Sequence, residues 1–304
     1  MKRLIGREKE IESLEAYVDS GQAEFIAIYG RRRVGKTFLI NQLFRNRLAF
    51  SLTGIIDGTP SEQMESYVQA LEFNGYKINE HPKNWLTAFA ELRKFLQPKI
   101  NSGEPCIVFI DEISCFDSQR SGFVRALGFF WNSWASLQDN LKLIICGSVT
   151  SWMITNIIDS KGGLHNRVTH EIALHQFTLH ETELYLLNRG FNWSRLTILQ
   201  AYMCLGGVPY YLSLLSASES LAENLDRLFF DRDAELQKEY SRLYKTLFKS
   251  PEPYMKIVKL LAESKQGLTR QEISTKLKIS GKALTDQLGN LQSCDIIRLY
   301  YVKD

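Results

Sequence analysis

The stretch AEFIAIYGRRRVGKTFLINQLFRN, residues 23–46, decides the fold of this chain. It opens with an apolar run over 23–29 that predicts a short buried strand, and its apolar spacing from residue 36 onward predicts a helix. Between the two, residues 30–37 read GRRRVGKT and satisfy the pattern GxxxxGK[ST]. A glycine-containing turn between a strand and a helix directs backbone N–H groups and a helix N-terminus at an anion. The stretch therefore predicts a site for the phosphates of a nucleotide.

The pattern predicts a role for individual residues of this loop. We expect Lys36 to reach the β and γ phosphates and the hydroxyl of Thr37 to bind Mg²⁺. The residues expected to contact ATP or ADP here are Gly30, Arg31, Arg32, Arg33, Val34, Gly35, Lys36, Thr37 and Phe38.

A second motif, IVFIDE at 107–112, is an apolar strand that ends in two carboxylates. Asp111, at the carboxyl end of a strand next to the strand of the phosphate loop, is expected to hold Mg²⁺ directly or through water. Glu112 is expected to orient or deprotonate an attacking water, which favours hydrolysis over binding alone. The alternative is that a strand simply meets solvent at these two residues.

A third apolar run, LKLIICG at 141–147, is followed by hydroxyl side chains. We expect Ser148, or as second choice Thr150, to lie beside the γ-phosphate between the two preceding motifs. The alternative, which is compatible with the first, is an N-cap for a helix over 151–158.

The order of predicted elements indicates an α/β fold of the P-loop NTPase kind. Further strands are expected at 47–53 and 168–174, and helices at 60–73, 83–97 and 121–138, with Pro98 ending the second of these helices. Unbroken apolar strands separated by helices predict a parallel sheet covered by helices on both faces, which we assign to residues 1–177. Helical periodicity then dominates and predicts a small helical subdomain over 178–250.

The last part of the chain, residues 251–304, follows a proline-containing linker. Helices are expected at 254–264, 269–278 and 280–292, followed by a strand over 295–304, an order that resembles a winged helix-turn-helix. A wing normally has two strands, which suggests that the natural protein is longer or that this chain is trimmed.

Composition limits the class of protein. The chain has 304 residues with 44% apolar and 23% charged residues, as expected for a globular protein with a core. We find no apolar run of membrane-spanning length and no secretory leader, and the five cysteines form no CxxC pair, so we expect reduced thiols and a cytoplasmic location. The net charge of +3 does not argue for nucleic acid as an obligatory partner. Because residues 251–304 hold nine lysines and arginines against six acidic residues, duplex DNA remains an open partner for 254–304.

Taken together, the motifs suggest a family. LIGREKE at 4–10, YGRRRVGKT, FIDE, CGS and GVP at 207–209 occur in the order typical of AAA+-related P-loop ATPases of the STAND type. More narrowly, the chain resembles the archaeal-type ATPase group, which also occurs in anaerobic bacteria. The resemblance spans nearly the whole chain.

This resemblance implies further site residues. It places three residues near the adenine: Ile5, Gly6 and Arg7. Pro209, together with Tyr210, would close the far side of the base, although Gly207–Pro209 could also be a plain helix break. Arg167 matches an arginine that senses the γ-phosphate in cis or from a neighbouring subunit, and a surface arginine is the equal alternative. For Arg31–Arg33, contact with phosphate or with a neighbour is open, and solvated side chains are the default.

The function expected from these observations is a Mg²⁺-dependent ATPase that turns over slowly and acts as a switch. ATP and ADP would hold the helical subdomain, as a lid, and the winged helix in different positions. Two alternatives stay open: an oligomeric AAA+ ATPase that handles nucleic acid and uses Arg167 between subunits, and a DNA-binding regulator whose ADP is structural. Self-association or a protein partner is compatible with either. No membrane partner is expected.

Overall fold

The computed structural model describes residues 4–118, 120–248 and 250–300. Contacts between residues divide this chain into two units. The first comprises Gly35–Leu174 together with the chain up to Gly30. The second comprises Arg31–Val34 and the chain from His175 onward.

A five-stranded parallel sheet forms the centre of the first unit. The strands are β1 (Glu24–Tyr29), β2 (Leu48–Thr53), β3 (Cys106–Asp111), β4 (Leu141–Gly147) and β5 (His170–Ala173), and their order across the sheet is β2-β3-β4-β1-β5. Every residue of β3 and β4 is buried, so both faces of the central sheet are covered. The parallel α/β architecture expected from the unbroken apolar runs is confirmed.

The order of the strands corrects one expectation. β3, which ends at Asp111, is not adjacent to β1, because β4 lies between them. In register, Ile28 of β1 faces Cys146 of β4, and Ile145 of β4 faces Ile110 of β3. The three strands are similarly apolar, so their composition holds no information about which one is central.

The predicted helices of the first unit are present close to their expected positions, and a further helix, α1 (Glu8–Val18), precedes them. The predicted helices are α2 (Lys36–Phe44), α3 (Pro60–Phe73), α4 (Trp85–Ile100), α5 (Phe123–Ser133) and α6 (Thr150–Met153). Pro98 does not end α4, since a proline in the last turn removes only one backbone hydrogen bond. α5 ends at Ser133 and not at residue 138, because Trp134 leaves the helical conformation with φ −149°.

Helices make up the regular structure of the second unit. They are α7 (Leu179–Asn188), α8 (Arg195–Leu205), α9 (Pro209–Ser213), α10 (Leu221–Leu225), α11 (Glu239–Leu247), α12 (Glu252–Ala262), α13 (Arg270–Leu277) and α14 (Gly281–Ser293). Two separate apolar clusters hold them, one within 177–236 and one within 243–297.

The strand predicted over 295–304 is not formed in its described part, residues 295–300, and residues 301–304 lie outside the described chain. At this point Asp295 has φ 53° and the N–H of Ile296 bonds back to the carbonyl of Leu291, so the chain turns instead of extending. None of the helices in the described chain combines the length and apolar composition that crossing a membrane requires.

Candidate nucleotide site

The phosphate loop begins at Gly30, directly after β1. The chain following β5 passes so close that a Cβ on Gly30 would lie 2.2 Å from the carbonyl oxygen of Leu174. The N–H of Leu174 in turn donates to the carbonyl of Tyr29 at 2.7 Å. A side chain at residue 30 would therefore push β1 and the end of β5 apart.

Gly35 ends the loop and starts the helix that follows. It has φ 97°, a conformation that side chains disfavour, and its carbonyl accepts the first helical hydrogen bond, from Leu39 N–H at 2.9 Å. The glycine thus lets α2 begin at Lys36 with its N-terminal N–H groups facing the loop.

Lys36 is buried, with 5% of its surface exposed. Its Nζ donates to the carbonyl of Gly30 at 2.8 Å and to Ser148 Oγ at 3.1 Å. The ammonium group therefore lies between the first residue of the loop and the end of β4.

Thr37 and Asp111 meet at the same edge of the sheet. The hydroxyl of Thr37 donates to Asp111 Oδ2 at 2.6 Å, and the N–H of Glu112 donates to the other carboxylate oxygen, Oδ1, at 2.9 Å. Burial, reinforced by the neighbouring charge of Glu112, raises the pKa of Asp111 despite the hydrogen bond from Thr37. The carboxylate is thus buried with less positive charge around it than its ionised form requires.

Ser148 joins the lysine to the second carboxylate. Its hydroxyl donates to Glu112 Oε1 at 2.5 Å while accepting from Lys36 Nζ, and its backbone N–H lies 3.3 Å from Glu112 Oε2. Because β4 lies between β1 and β3, its first residue after the strand reaches both neighbours. The sequence placed Ser148 between the two motifs, but it gave no sign of this continuous hydrogen-bonded path.

The alternative role for the hydroxyls, capping the next helix, is wrong. Val149 occupies the N-cap of α6, and no side chain caps that helix. Thr150 is the first residue of α6, and its buried hydroxyl has no hydrogen-bond partner among the described residues.

In the part of the chain that the structure describes, the other residues of the first unit predicted to bind nucleotide do not belong to the hydrogen-bonded path from Lys36 to Glu112. Arg167 is exposed in the loop before β5 and, within the described chain, is not part of the path joining Lys36 to Glu112. Phe38 is 46% exposed on α2. Ile5 is half-buried, whereas Gly6 and Arg7 are buried, both with φ 69°. Arg7 occupies the N-cap position of α1 without a capping side-chain bond, and its Nη1 lies 3.6 Å from Glu10 Oε1.

Residues predicted from the GVP motif and from the arginine run belong to the second unit. Pro209 is the first residue of α9, and the preceding turn is fixed by a 2.6 Å bond from Phe177 N–H to the carbonyl of Gly207. The solvated arrangement taken as the default for Arg31–Arg33 is not observed for two of them. Arg33 pairs with Glu239 at 2.7 Å, and Arg32 donates to Thr246 Oγ1 at 3.0 Å.

Comparison with known proteins gives two relatives from the archaeon Methanocaldococcus jannaschii. One is an uncharacterised protein, 26% identical over 318 residues, a match that covers 99% of this chain and 66% of the relative. The chain thus spans about two thirds of that relative's length. The other is an uncharacterised ATP-binding protein, 44% identical over 43 residues, which are 14% of this chain and 73% of the relative.

Two solved structures share the fold. A Walker-type ATPase of Pyrococcus abyssi has a TM-score of 0.67 at 20% identity, with 96% of this chain and 90% of that one covered. The ORC2 protein of Aeropyrum pernix, solved in complexes with ADPNP and ADP, has a TM-score of 0.51 at 16% identity, with 96% and 87% covered.

The family described as an ATPase domain predominantly from Archaea matches residues 4–215, which contain the phosphate loop, the carboxylates after β3 and the GVP motif. The chain belongs to this archaeal-type ATPase family.

Proposed function

We propose that this chain binds ATP with Mg²⁺ at the carboxyl edge of its sheet and hydrolyses it slowly to ADP and phosphate. The observation that carries the proposal is the pair of hydrogen-bonded connections at this edge, Thr37 to Asp111 and Lys36 through Ser148 to Glu112. They bring a phosphate-binding loop, a site for a hard cation and a carboxylate base to one place. Membership of an ATPase family supports the same reading.

The residues present fit Mg²⁺. The hydroxyl oxygen of Thr37 and the carboxylate of Asp111 are hard oxygen donors only 2.6 Å apart, the chemistry that Mg²⁺ prefers. A cation there would favour the ionised form of Asp111, which burial disfavours. When bound, Mg²⁺ would supply charge neutralisation for the phosphate oxygens.

The protein's own residues would divide the remaining work. Lys36 would exchange one of its present oxygen partners for a phosphate oxygen and hold it by charge. Glu112 would orient a water and take its proton as the water oxygen attacks the γ-phosphorus. Ser148 would hold the carboxylate of Glu112 in line with the lysine.

Slow turnover is expected because the carboxylate of Glu112 is already hydrogen-bonded. Both carboxylate oxygens of Glu112 already face donors of Ser148, the hydroxyl at 2.5 Å and the N–H at 3.3 Å. Each oxygen can accept a further hydrogen bond from a water, but turning the carboxylate towards that water would strain the contacts with Ser148, which adds a barrier to each turnover.

We further propose a STAND-type switch, in which residues 178–250 form a lid and 251–304 a winged-helix module whose positions follow the bound nucleotide. The two separate apolar clusters of the second unit support two independently packed parts, although α11 packs in the second cluster and so with the winged-helix module. α13 and α14 follow one another across a short turn, and Arg270 Nη2 donates to Thr285 Oγ1 at 2.6 Å between them, as in a helix-turn-helix pair. We place the protein in the cytoplasm and keep duplex DNA and a second copy of the chain as its candidate macromolecular partners.

The experiment is phosphate release from ATP at a series of protein concentrations, with and without duplex DNA, beside Glu112→Gln. Turnover that Glu112→Gln abolishes and that neither DNA nor concentration changes supports the switch ATPase. Stimulation by DNA would assign residues 254–304 to DNA binding, and a steep dependence on concentration would support Arg167 acting between subunits. Complete absence of turnover would overturn the hydrolase proposal, and nucleotide carried through purification would then favour the regulator with structural ADP.

A further inference from the structure

The side chain of Arg33, in the middle of the phosphate loop, contacts Glu239 and the rings of Tyr210 and Tyr211, all within the second, helical unit. Its Nη1 lies 2.7 Å from Glu239 Oε1, and its guanidinium lies over the ring of Tyr210, 4.1 Å from the centroid. Only 26% of the arginine side chain and 11% of the Glu239 side chain are exposed. An ion pair and a cation–π contact with this degree of burial are stronger than an exposed surface ion pair.

Both partners of Arg33 are themselves fixed. Tyr211 donates its hydroxyl to Glu239 Oε1 at 2.8 Å, and Tyr210 donates its hydroxyl to Glu235 Oε1 at 2.6 Å. The glutamate and the ring that hold Arg33 are therefore set by hydrogen bonds of their own. Contacts with side chains that are themselves fixed restrict the backbone of Arg33 more than contacts with mobile side chains would.

The backbone of Arg33 has a conformation that needs such fixed contacts. Its φ is 72°, in the left-handed region that residues with a Cβ rarely adopt and that glycine adopts freely. A residue in this conformation persists where its surroundings fix it. Here the fixing contacts are made by the side chain, two residues before Gly35 and three before Lys36.

We infer that Glu239 and Tyr210 are positioning residues for nucleotide binding: they hold Arg33 in its left-handed conformation and thereby keep the phosphate loop in shape before the nucleotide arrives. This inference rests on the proposed binding of ATP at the loop. It gives the helical unit control over nucleotide affinity through one arginine.

The test compares Glu239→Gln with Glu235→Gln. Both carboxylates accept a hydrogen bond from a tyrosine, and an amide oxygen can still accept it, but only Glu239 also pairs with Arg33. We expect Glu239→Gln to weaken binding of a fluorescent ADP analogue and of ATP about fivefold to tenfold, as loss of a partly buried ion pair implies. In Glu239→Gln, KM for ATP should rise while kcat changes less than about twofold. In Glu235→Gln, the affinities for the ADP analogue and for ATP should each change less than about twofold.

The variant Arg33→Gly shows whether Glu239 acts on affinity through Arg33 or only through the stability of α11. Glycine adopts φ 72° without help, so in this background Glu239→Gln should cause no further loss of affinity. If Glu239→Gln unfolds too easily for binding to be measured, Tyr210→Leu replaces it, with and without Arg33→Gly. A loss of affinity that Arg33→Gly abolishes is due to positioning of Arg33, and a loss that persists is due to contact of Tyr210 with the adenine base and would overturn the inference.

The outcomes are distinct. Equal affinities for Glu239→Gln and Glu235→Gln, a loss of kcat without loss of affinity, or an undiminished loss in the Arg33→Gly background would overturn the inference while leaving the proposed function intact. Absence of nucleotide binding by the wild-type chain would overturn the proposed function and the inference with it.

Discussion

The two ends of the sheet in the first unit each bury a lysine and a carboxylate. At the carboxyl end these are Lys36 and Asp111, with 5% and 2% of their surfaces exposed. At the amino end they are Lys142 and Glu24, which face each other in the register of β4 and β1 and are 1% and 0% exposed. The residue types are alike, so burial of a charged pair does not by itself distinguish a functional site.

The difference lies in what surrounds each pair. Lys142 donates to Ser20 Oγ at 3.1 Å, to the carbonyl of Asp139 at 3.2 Å and to the carbonyl of Gln22, which matches the three donors of an ammonium group. At the other end, the lysine begins the helix that follows a loop whose shape depends on two glycines. The ammonium group of Lys142 is thus satisfied by protein oxygens, whereas we propose that the backbone at the carboxyl end binds an anion.

The two carboxylates respond in opposite directions. Burial tends to raise the pKa of both, but at Glu24 side-chain hydrogen bonds, led by the one from Thr169, outweigh burial, and the pKa is lowered. At Asp111 burial wins over the hydrogen bond from Thr37, and the pKa is raised. Glu24 is thus stabilised as an ion by hydrogen bonds and by His170, whose Nε2 lies 3.2 Å from Oε2, whereas burial disfavours the ionised form of Asp111. Four experiments test this contrast, from the largest expected effect to the smallest.

Replacing each buried lysine by methionine tests the contrast most strongly. Lys36→Met should lower ATP turnover on the order of 100-fold or more, because a preorganised charge at the phosphates is lost. Lys142→Met should leave the turnover of the folded protein within about twofold and lower its thermal unfolding temperature. Phosphate release and thermal unfolding measured on both variants check this, and a similar fall in turnover for the two would refute the contrast.

Glu112→Gln tests the carboxyl end without removing a charge from the phosphate contacts. The amide still accepts from Ser148 but takes up no proton, so kcat should fall on the order of 100-fold while ATP affinity stays within about threefold. The readouts are single-turnover hydrolysis and a binding titration. Unchanged kcat would exclude Glu112 as the base.

Ser148→Ala, compared with Thr150→Ala, tests the connection between lysine and base. Ser148 joins Lys36 and Glu112, so its loss should lower kcat about tenfold. Thr150 lies two positions further on with a hydroxyl that has no partner among the described residues, and its alanine variant should change kcat less than about twofold. Equal effects of the two substitutions on kcat would show that the connection has no catalytic role.

Asp111→Asn and Glu24→Gln should change stability in opposite directions at neutral pH. A raised pKa means that Asp111 stabilises the fold when protonated and that this contribution is lost as the pH rises through the raised pKa. A lowered pKa means that Glu24 stabilises the fold when ionised and that this contribution is lost as the pH falls through the lowered pKa. At pH 7, Asp111→Asn should therefore raise the free energy of unfolding by about 1 kcal/mol, and Glu24→Gln should lower it by a similar amount.

Urea unfolding of the nucleotide-free protein at pH 7 and near pH 4 measures both effects. The two differences from wild type should shrink at the lower pH, where the carboxyl groups become protonated. Destabilisation of similar size by both substitutions at pH 7 would contradict the contrast between the two ends.

Much of the carboxyl end could be predicted from the sequence because its signals are local. GRRRVGKT, the two carboxylates after 107–110 and the hydroxyl after 141–147 each follow an apolar strand, and parallel strands bring their carboxyl ends to one edge. What depends on contacts between distant positions was missed. The order of β1, β4 and β3 is one such feature, since all three strands are apolar on both faces.

The contacts of the arginine run are the second missed feature. Arg32 and its partner Thr246 are separated by 214 positions. No sequence pattern marks Glu239 or Tyr210 as a partner of Arg33. The third is the terminal strand, where apolar residues at 296–297 pack against the preceding helices and do not extend. Alternating or continuous apolar character fixes burial but not whether the backbone turns.

Calorimetric titration with a Mg²⁺ complex of a non-hydrolysable ATP analogue tests the central claim most directly, because it measures the carboxyl end as a binding site independently of turnover. We predict one site per wild-type chain, retained in Glu112→Gln and Lys142→Met and lost or weakened on the order of 100-fold in Lys36→Met. Absence of binding by the wild-type chain, or binding that Lys36→Met leaves unchanged, would contradict the account.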